Sequence, residues 1–104
     1  MQTQDNAGAA PQTNDEGYLL DAGQWTPAVG EAIAAELGIT LTPQHWTVLD
    51  FAREDFATTG ASPGLRRITT NTGVGMKDLY KLFPKGPGKL IARIAGTPKP
   101  KSCL

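Results

Sequence analysis

From residue 26 onward the apolar positions return every three or four residues, the interval that lines one face of a helix. Three of the runs open on a hydroxyl followed by proline: Thr26-Pro27, Thr42-Pro43 and Ser62-Pro63. In each, the hydroxyl is placed to accept from an orphan backbone N–H, and proline takes the first helical position with no N–H to leave unpaired. The first run predicts a helix from Pro27 to about Leu37, with Val29, Ile33 and Leu37 on one face and Gly38 as the stop. The second predicts Pro43 to about Ala57, where Trp46, Leu49 and Phe56 form a stripe with Ala52 or Arg53 between them and Gly60 ends the run. A third, shorter helix starts at Pro63 and buries Leu65 and Ile68, and Gly73 and Gly75 bracket the turn after it. A fourth carries Met76, Leu79, Tyr80 and Phe83 and closes at Pro84. A fifth starts at Gly86-Pro87 and carries Leu90, Ile91 and Ile94 as far as Gly96.

The two ends are different in kind. Residues 1–14 are small and polar without periodicity and predict a disordered tail. Asp15-Glu16-Gly17-Tyr18-Leu19-Leu20 is turn-like and then apolar, with room for a short extended segment. After Gly96, Thr97-Pro98-Lys99-Pro100-Lys101-Ser102-Cys103-Leu104 cannot continue a helix, because Pro98 and Pro100 lack donors and favour extended backbone. Strand signals are almost absent. The pattern therefore predicts a mainly all-α chain: a disordered tail over 1–14, a compact bundle of about five short helices over 15–96, and a mobile C-terminal arm over 97–104. Eight extended residues would span roughly 25 Å.

The chain has 104 residues, enough for one domain and one modest core. No apolar run is long enough to cross a bilayer, and Met1-Gln2-Thr3-Gln4-Asp5-Asn6 has neither half of a signal peptide, so a cytoplasmic protein without membrane partners is expected. Charge adds an asymmetry. Residues 1–61 hold nine acids and one base, Arg53, for a net of −8; residues 62–104 hold nine bases and one acid, Asp78, for +8. Either the second half meets an anionic partner, nucleic acid or an acidic protein face, or the halves complement one another within the fold.

One cysteine cannot make an internal disulfide, so Cys103 is free, paired between molecules or chemically used. A carrier of sulfane sulfur needs one accessible thiol, no neighbouring thiol to discharge it, and reach into a partner's site. Cys103, at the tip of a proline-stiffened arm, meets all three on sequence. The thiolate is the nucleophile, and Lys99 and Lys101 favour it while the Leu104 carboxylate opposes them. The alternative is an incidental cysteine in an unburied tail.

Leu79-Tyr80-Lys81-Leu82-Phe83-Pro84-Lys85-Gly86-Pro87, then Ile94-Ala95-Gly96-Thr97-Pro98-Lys99-Pro100 and the penultimate Cys103, resemble the DsrC/TusE family of sulfur-relay proteins. Asp15-Glu16-Gly17-Tyr18-Leu19, Trp25, Leu41-Thr42-Pro43-Gln44-His45-Trp46, and Pro63 with Arg66 add to a likeness that covers residues 15–104. The resemblance implies that Cys103 accepts sulfur as a persulfide, and it marks Arg66 as a supporting residue. It also implies partners: a sulfur-donor complex of the TusBCD or DsrEFH type and a downstream acceptor, in tRNA 2-thiouridine synthesis or related sulfur metabolism. Members that serve dissimilatory sulfite reductase carry a second cysteine eleven positions earlier, where this chain has Ala92, so the single-cysteine, TusE-like form is favoured over a gamma-subunit-like role. Other departures are the missing apolar alternation in residues 1–14, where the family has a β-hairpin, a shorter stretch between Arg66 and Leu79, and Thr97 where leucine is usual.

A different class of function competes. Ile68 to Phe83 resembles a TetR-type helix-turn-helix, with Tyr80 and Phe83 inward and Lys77, Lys81 and Lys85 facing phosphates, which would make the basic half a DNA-binding regulator or suit it to tRNA. The same geometry arises in plain bundles, and the second helix offers few side chains suited to base edges. For His45 beside Trp46, packing or solvent exposure is expected rather than catalysis, and Trp25 and Trp46 are expected to fill the core. With one His and one Cys there is no metal-ligand set, and no cofactor is implied.

Overall fold

The computed structural model describes residues 11–101; Cys103, with Ser102 and Leu104, and residues 1–10 lie outside the described residues. Five helices succeed one another along the chain: α1 (Pro27–Glu36), α2 (Pro43–Thr59), α3 (Leu65–Thr72), α4 (Met76–Leu82) and α5 (Pro87–Ala95). A single 3-10 turn, Ala22–Gln24, precedes them. Among the described residues the one β feature is an isolated antiparallel bridge between Thr13 and Leu19. The bundle is thus all-α, as the periodicity requires.

Two of the three hydroxyl-proline starts behave as expected. Thr26 Oγ1 accepts from Val29 N at 3.2 Å and opens α1. Thr42 opens α2, and His45 completes a capping box by accepting the Thr42 N–H on Nδ1 at 3.0 Å. The third start differs. α3 begins at Leu65, two residues past Pro63, with Gly64 at its N-cap and no side-chain cap bond. Ser62 is occupied elsewhere: its hydroxyl meets Thr97 and Pro98 across 35 and 36 residues of sequence.

The core gathers Ala34, Val48, Leu49, Ala52, Leu65, Ile68, Val74, Leu79, Phe83, Ile91, Ile94 and Ala95. Burying a side chain the size of Leu49, Ile68 or Phe83 stabilises the fold by about 1.5–3 kcal/mol. α5 packs against both α1 and α2, and α3 leans on α2. The buried edge of α1 is Gly30 and Ala34 rather than Val29, Ile33 and Leu37, none of which is fully buried. The reason is close approach: a Cβ on Gly30 would stand 3.2 Å from the Ile94 carbonyl oxygen and 2.9 Å from Trp25 Cζ2. On α2 the buried set is His45, Val48, Leu49, Ala52 and Asp55, with Trp46 and Phe56 half-buried. α4 also departs from expectation. It is two turns long and buries Leu79, with Leu82 half-buried against the core and Phe83 buried at its C-cap, while Met76 (42% exposed) and Tyr80 (48%) face outward.

Residues 11–14, expected in the disordered tail, take part in structure. Asn14 Oδ1 accepts from Glu16 N at 2.9 Å and Tyr18 N at 3.1 Å, and Leu20 N donates to Gln12 O. This Asx-type turn needs only local hydrogen bonds and no apolar alternation, which is why periodicity does not register it. Tyr18 (2% exposed) and Leu19 anchor it to the body.

Candidate functional site

The chain leaves α5 through Gly96, and the next four residues are anchored rather than free. Thr97 is fully buried, and its N–H donates to Ala92 O at 3.0 Å. Its Oγ1 lies 2.7 Å from Ser62 Oγ, which also meets the Pro98 carbonyl oxygen. Lys99 Nζ donates to Glu16 Oε2 at 2.9 Å, and Pro100 is buried. This half of the expected mobile arm thus lies against the body, because Thr97 and Pro100 bury surface and Lys99 finds an acid on the N-terminal turn. Lys101 is exposed. Beyond Pro100, three extended residues reach at most about 10 Å to Cys103.

Glu16 is the carboxylate paired with Lys99; hydrogen bonding to Lys99, and then its charge with that of Lys89, holds Glu16 below the usual carboxylate range. Arg93, on the last turn of α5, lays its guanidinium against Gly17, the next residue of the same N-terminal turn. Arg66 is exposed on the first turn of α3. The structure brings Lys99 to Glu16 and Ser62 to the arm's root, and gives Arg66 no ion pair among the described residues.

Sequence reasoning missed Ser62, Glu16 and Thr97 as parts of this site. Ser62-Pro63 carries the same signal as the two true caps, so nothing local distinguishes it. Thr97 offered one sign, a hydroxyl where leucine is usual, and the structure gives that hydroxyl a partner.

His45 is 5% exposed and structural. Nδ1 accepts from the Thr42 backbone, so Nε2 carries the proton and donates to Leu82 O at 2.9 Å, with the ring edge-to-face on Phe83 at 5.0 Å. α3 and α4 are joined by Gly73-Val74-Gly75 with Val74 buried, a helix-turn-helix connection, but Tyr80 points outward rather than in. No described helix is long and apolar enough to cross a membrane.

Comparison with known proteins gives a consistent result. The sulfurtransferase TusE of Salmonella typhimurium is 40% identical over 99 residues, 88% of this chain and 91% of that protein. The NMR structure of Allochromatium vinosum DsrC matches with a TM-score of 0.78 at 35% identity, over 88% of each chain. The crystal structure of the oxidized gamma-subunit of the dissimilatory sulfite reductase (DsrC) from Archaeoglobus fulgidus matches with a TM-score of 0.81 at 32% identity, over 90% of this chain and 92% of that one. The family described as DsrC like protein matches residues 5–104, and the chain belongs to that family.

Proposed function

We propose that this protein is a sulfur carrier that accepts sulfane sulfur as a persulfide on Cys103 and passes it on in a sulfur relay. The observation that carries the reading is a sole, penultimate cysteine beyond a rooted, proline-stiffened segment, in a member of a family whose relatives include sulfurtransferases. The Cys103 thiolate attacks the outer sulfur of a donor persulfide, R–S–SH. A new S–S bond forms to Cys103, the donor's S–S bond breaks, and the donor leaves as its thiolate, so no oxidant or reductant is consumed. The same exchange in reverse sense unloads Cys103 onto an acceptor.

Lys101, two residues from Cys103, is proposed as electrostatic support for the thiolate; Lys99 contributes less because Glu16 already pairs with it. Arg66 is proposed as a cationic contact for a partner. The proposed donor is a complex of the TusBCD or DsrEFH type and the acceptor a tRNA 2-thiouridylase, in the cytoplasm, where a thiol stays reduced. The likeness to the A. fulgidus gamma-subunit favours a second reading, partnership with a sulfite reductase. Ala92, 2% exposed on α5, counts against it, because the second thiol of that form is missing.

Intact-mass analysis after incubation with a persulfide-loaded donor tests the carrier reading. The expected result is a reducible gain of about 32 Da, one sulfur atom, in the wild type and none in Cys103→Ala. No gain with several competent donors would overturn it and leave the basic α3–α4 pair as the lead.

A further inference from the structure

We infer that Glu16 and Ser62 are positioning residues that clamp the root of the cysteine-bearing segment from two sides, so that Cys103 is presented on a short tether. The inference rests on the carrier reading for its purpose, though not for its geometry.

The two contacts come from regions far apart in sequence. Ser62, in the loop between α2 and α3, meets Thr97 Oγ1 and the Pro98 carbonyl oxygen, and the two hydroxyls carry one proton each, enough for both contacts. Glu16 takes Lys99 from the N-terminal side at 2.9 Å. Neither support is loose. Glu16 sits on a turn held by Asn14 Oδ1 and closed by buried Tyr18, and Ser62 faces a threonine that is itself fully buried. Pro98 and Pro100 flank Lys99 and fix φ on both sides, so pinning Thr97 and Lys99 also sets the direction in which the chain leaves.

The consequence is a change of reach. Counted from Gly96, seven extended residues would let Cys103 sweep about 23 Å; counted from buried Pro100, three allow about 10 Å. A shorter tether raises the effective concentration of the thiol at a partner docked on the body and lowers it everywhere else. The two contacts also differ in kind. The Glu16–Lys99 pair is about half exposed on both sides and is screened by salt, whereas Ser62 bonds to a buried hydroxyl. Glu16 is therefore the contact that a partner's acidic group can replace, and Ser62 the one that persists.

Because Cys103 is the sole cysteine, a nitroxide placed on it reports the arm alone. Its spectral line shape should show greater mobility in Glu16→Gln and in Ser62→Ala, and most in the double variant. Glu16→Lys combined with Lys99→Glu should return mobility toward wild type, which loss of a merely structural residue would not do. Added salt should mobilise the wild-type label and leave the Glu16→Gln label unchanged. Unaltered thermal midpoints would separate release of the arm from loss of the fold, and Glu16→Gln, an exposed site, keeps the test open should Ser62→Ala not fold. A double variant with wild-type label mobility would overturn the clamp. Persulfide loading of the unlabelled proteins is read separately: wild type that fails to load sinks the carrier reading while the spin-label result still decides the clamp.

Discussion

At the scale of single residues, Trp25 is the side chain that closes the end of α5 from which the arm departs. Its Nε1 donates to Ile94 O at 2.7 Å, and its ring meets Trp46 edge-on with centroids 6.4 Å apart. Arg53 lies over the same indole, 4.3 Å from the centroid, and donates from Nη1 to Ala95 O at 2.8 Å. Burial pulls the Arg53 pKa down from its usual value, yet the group stays cationic and neutralises the carbonyl end of the helix dipole. All of this depends on Gly96, whose φ of +74° is left-handed and whose absent Cβ would stand 2.5 Å from Trp25 Cδ1. Gly96→Ala should therefore cost the backbone penalty of about 1–2 kcal/mol and, in addition, the indole's seat. Gly60→Ala carries a similar φ, +79°, with nothing within 4 Å, and should cost the backbone penalty alone. Denaturant midpoints of the two variants measure the difference; equal losses would mean that Trp25 moves aside freely.

At the scale of elements, α2 and α3 are joined by an ion pair as well as by apolar contact. Arg67 Nε donates to both Asp55 carboxylate oxygens, at 3.0 and 2.9 Å, and Nη2 to Oδ1 at 2.8 Å. The Asp55 side chain is 6% exposed, and hydrogen bonding to Arg67 holds its carboxyl below the ordinary 3.8. A carboxyl with a depressed folded-state pKa stabilises the fold fully above its ordinary value, and that stability is lost as pH falls through the folded value. Asp55→Asn should thus be less stable than wild type near neutral pH, and the gap should close in strong acid, once the pH has fallen through the lowered folded-state value. Denaturant midpoints at the two pH values check this, and a gap that persists in acid would assign Asp55 a role independent of its charge. The starts of α1, α2 and α3 show how far local signals carry. Thr26 and Thr42 cap as their sequence predicts, while Ser62, with the same Ser/Thr-Pro signal, is drawn to Thr97 instead.

At the scale of the whole molecule, the opposite charges of the two halves meet. Both ion pairs among the described residues, Asp55–Arg67 and Glu16–Lys99, join an acid of the first half to a base of the second. Lys77, Lys81, Lys85 and Lys89 are each exposed and take no part in either of these pairs. The arm's attachment at the end of α5 yields a further expectation. Thr97 N bonded to Ala92 O keeps the root beside position 92, so Ala92→Cys should close an internal disulfide with Cys103 under mild oxidant. Intact mass would show the loss of two hydrogens, and thiol labelling would disappear; two persistently free thiols would mean the arm does not turn back over α5.

Helix positions were legible in the chain because capping, proline placement and apolar spacing act within a few residues of one another. The proposal for Cys103 rests on sequence alone: the chain has one cysteine, it follows the Pro98-Lys99-Pro100 segment, and it lies outside the described residues. The buried face of α1 was not legible, since Gly30 and Ala34 displace its larger apolar residues only because α5 and Trp25 come so close, whereas Leu65 and Ile68 of α3 and Ile91 and Ile94 of α5 are buried as their spacing predicts. Nor was the rooting of Thr97 to Pro100, which depends on Ser62 and on Glu16, 83 residues from its partner Lys99. Contacts of that separation leave no periodic trace in a sequence. They are selected by the shape and hydrogen-bonding needs of surfaces that exist only after the helices have packed.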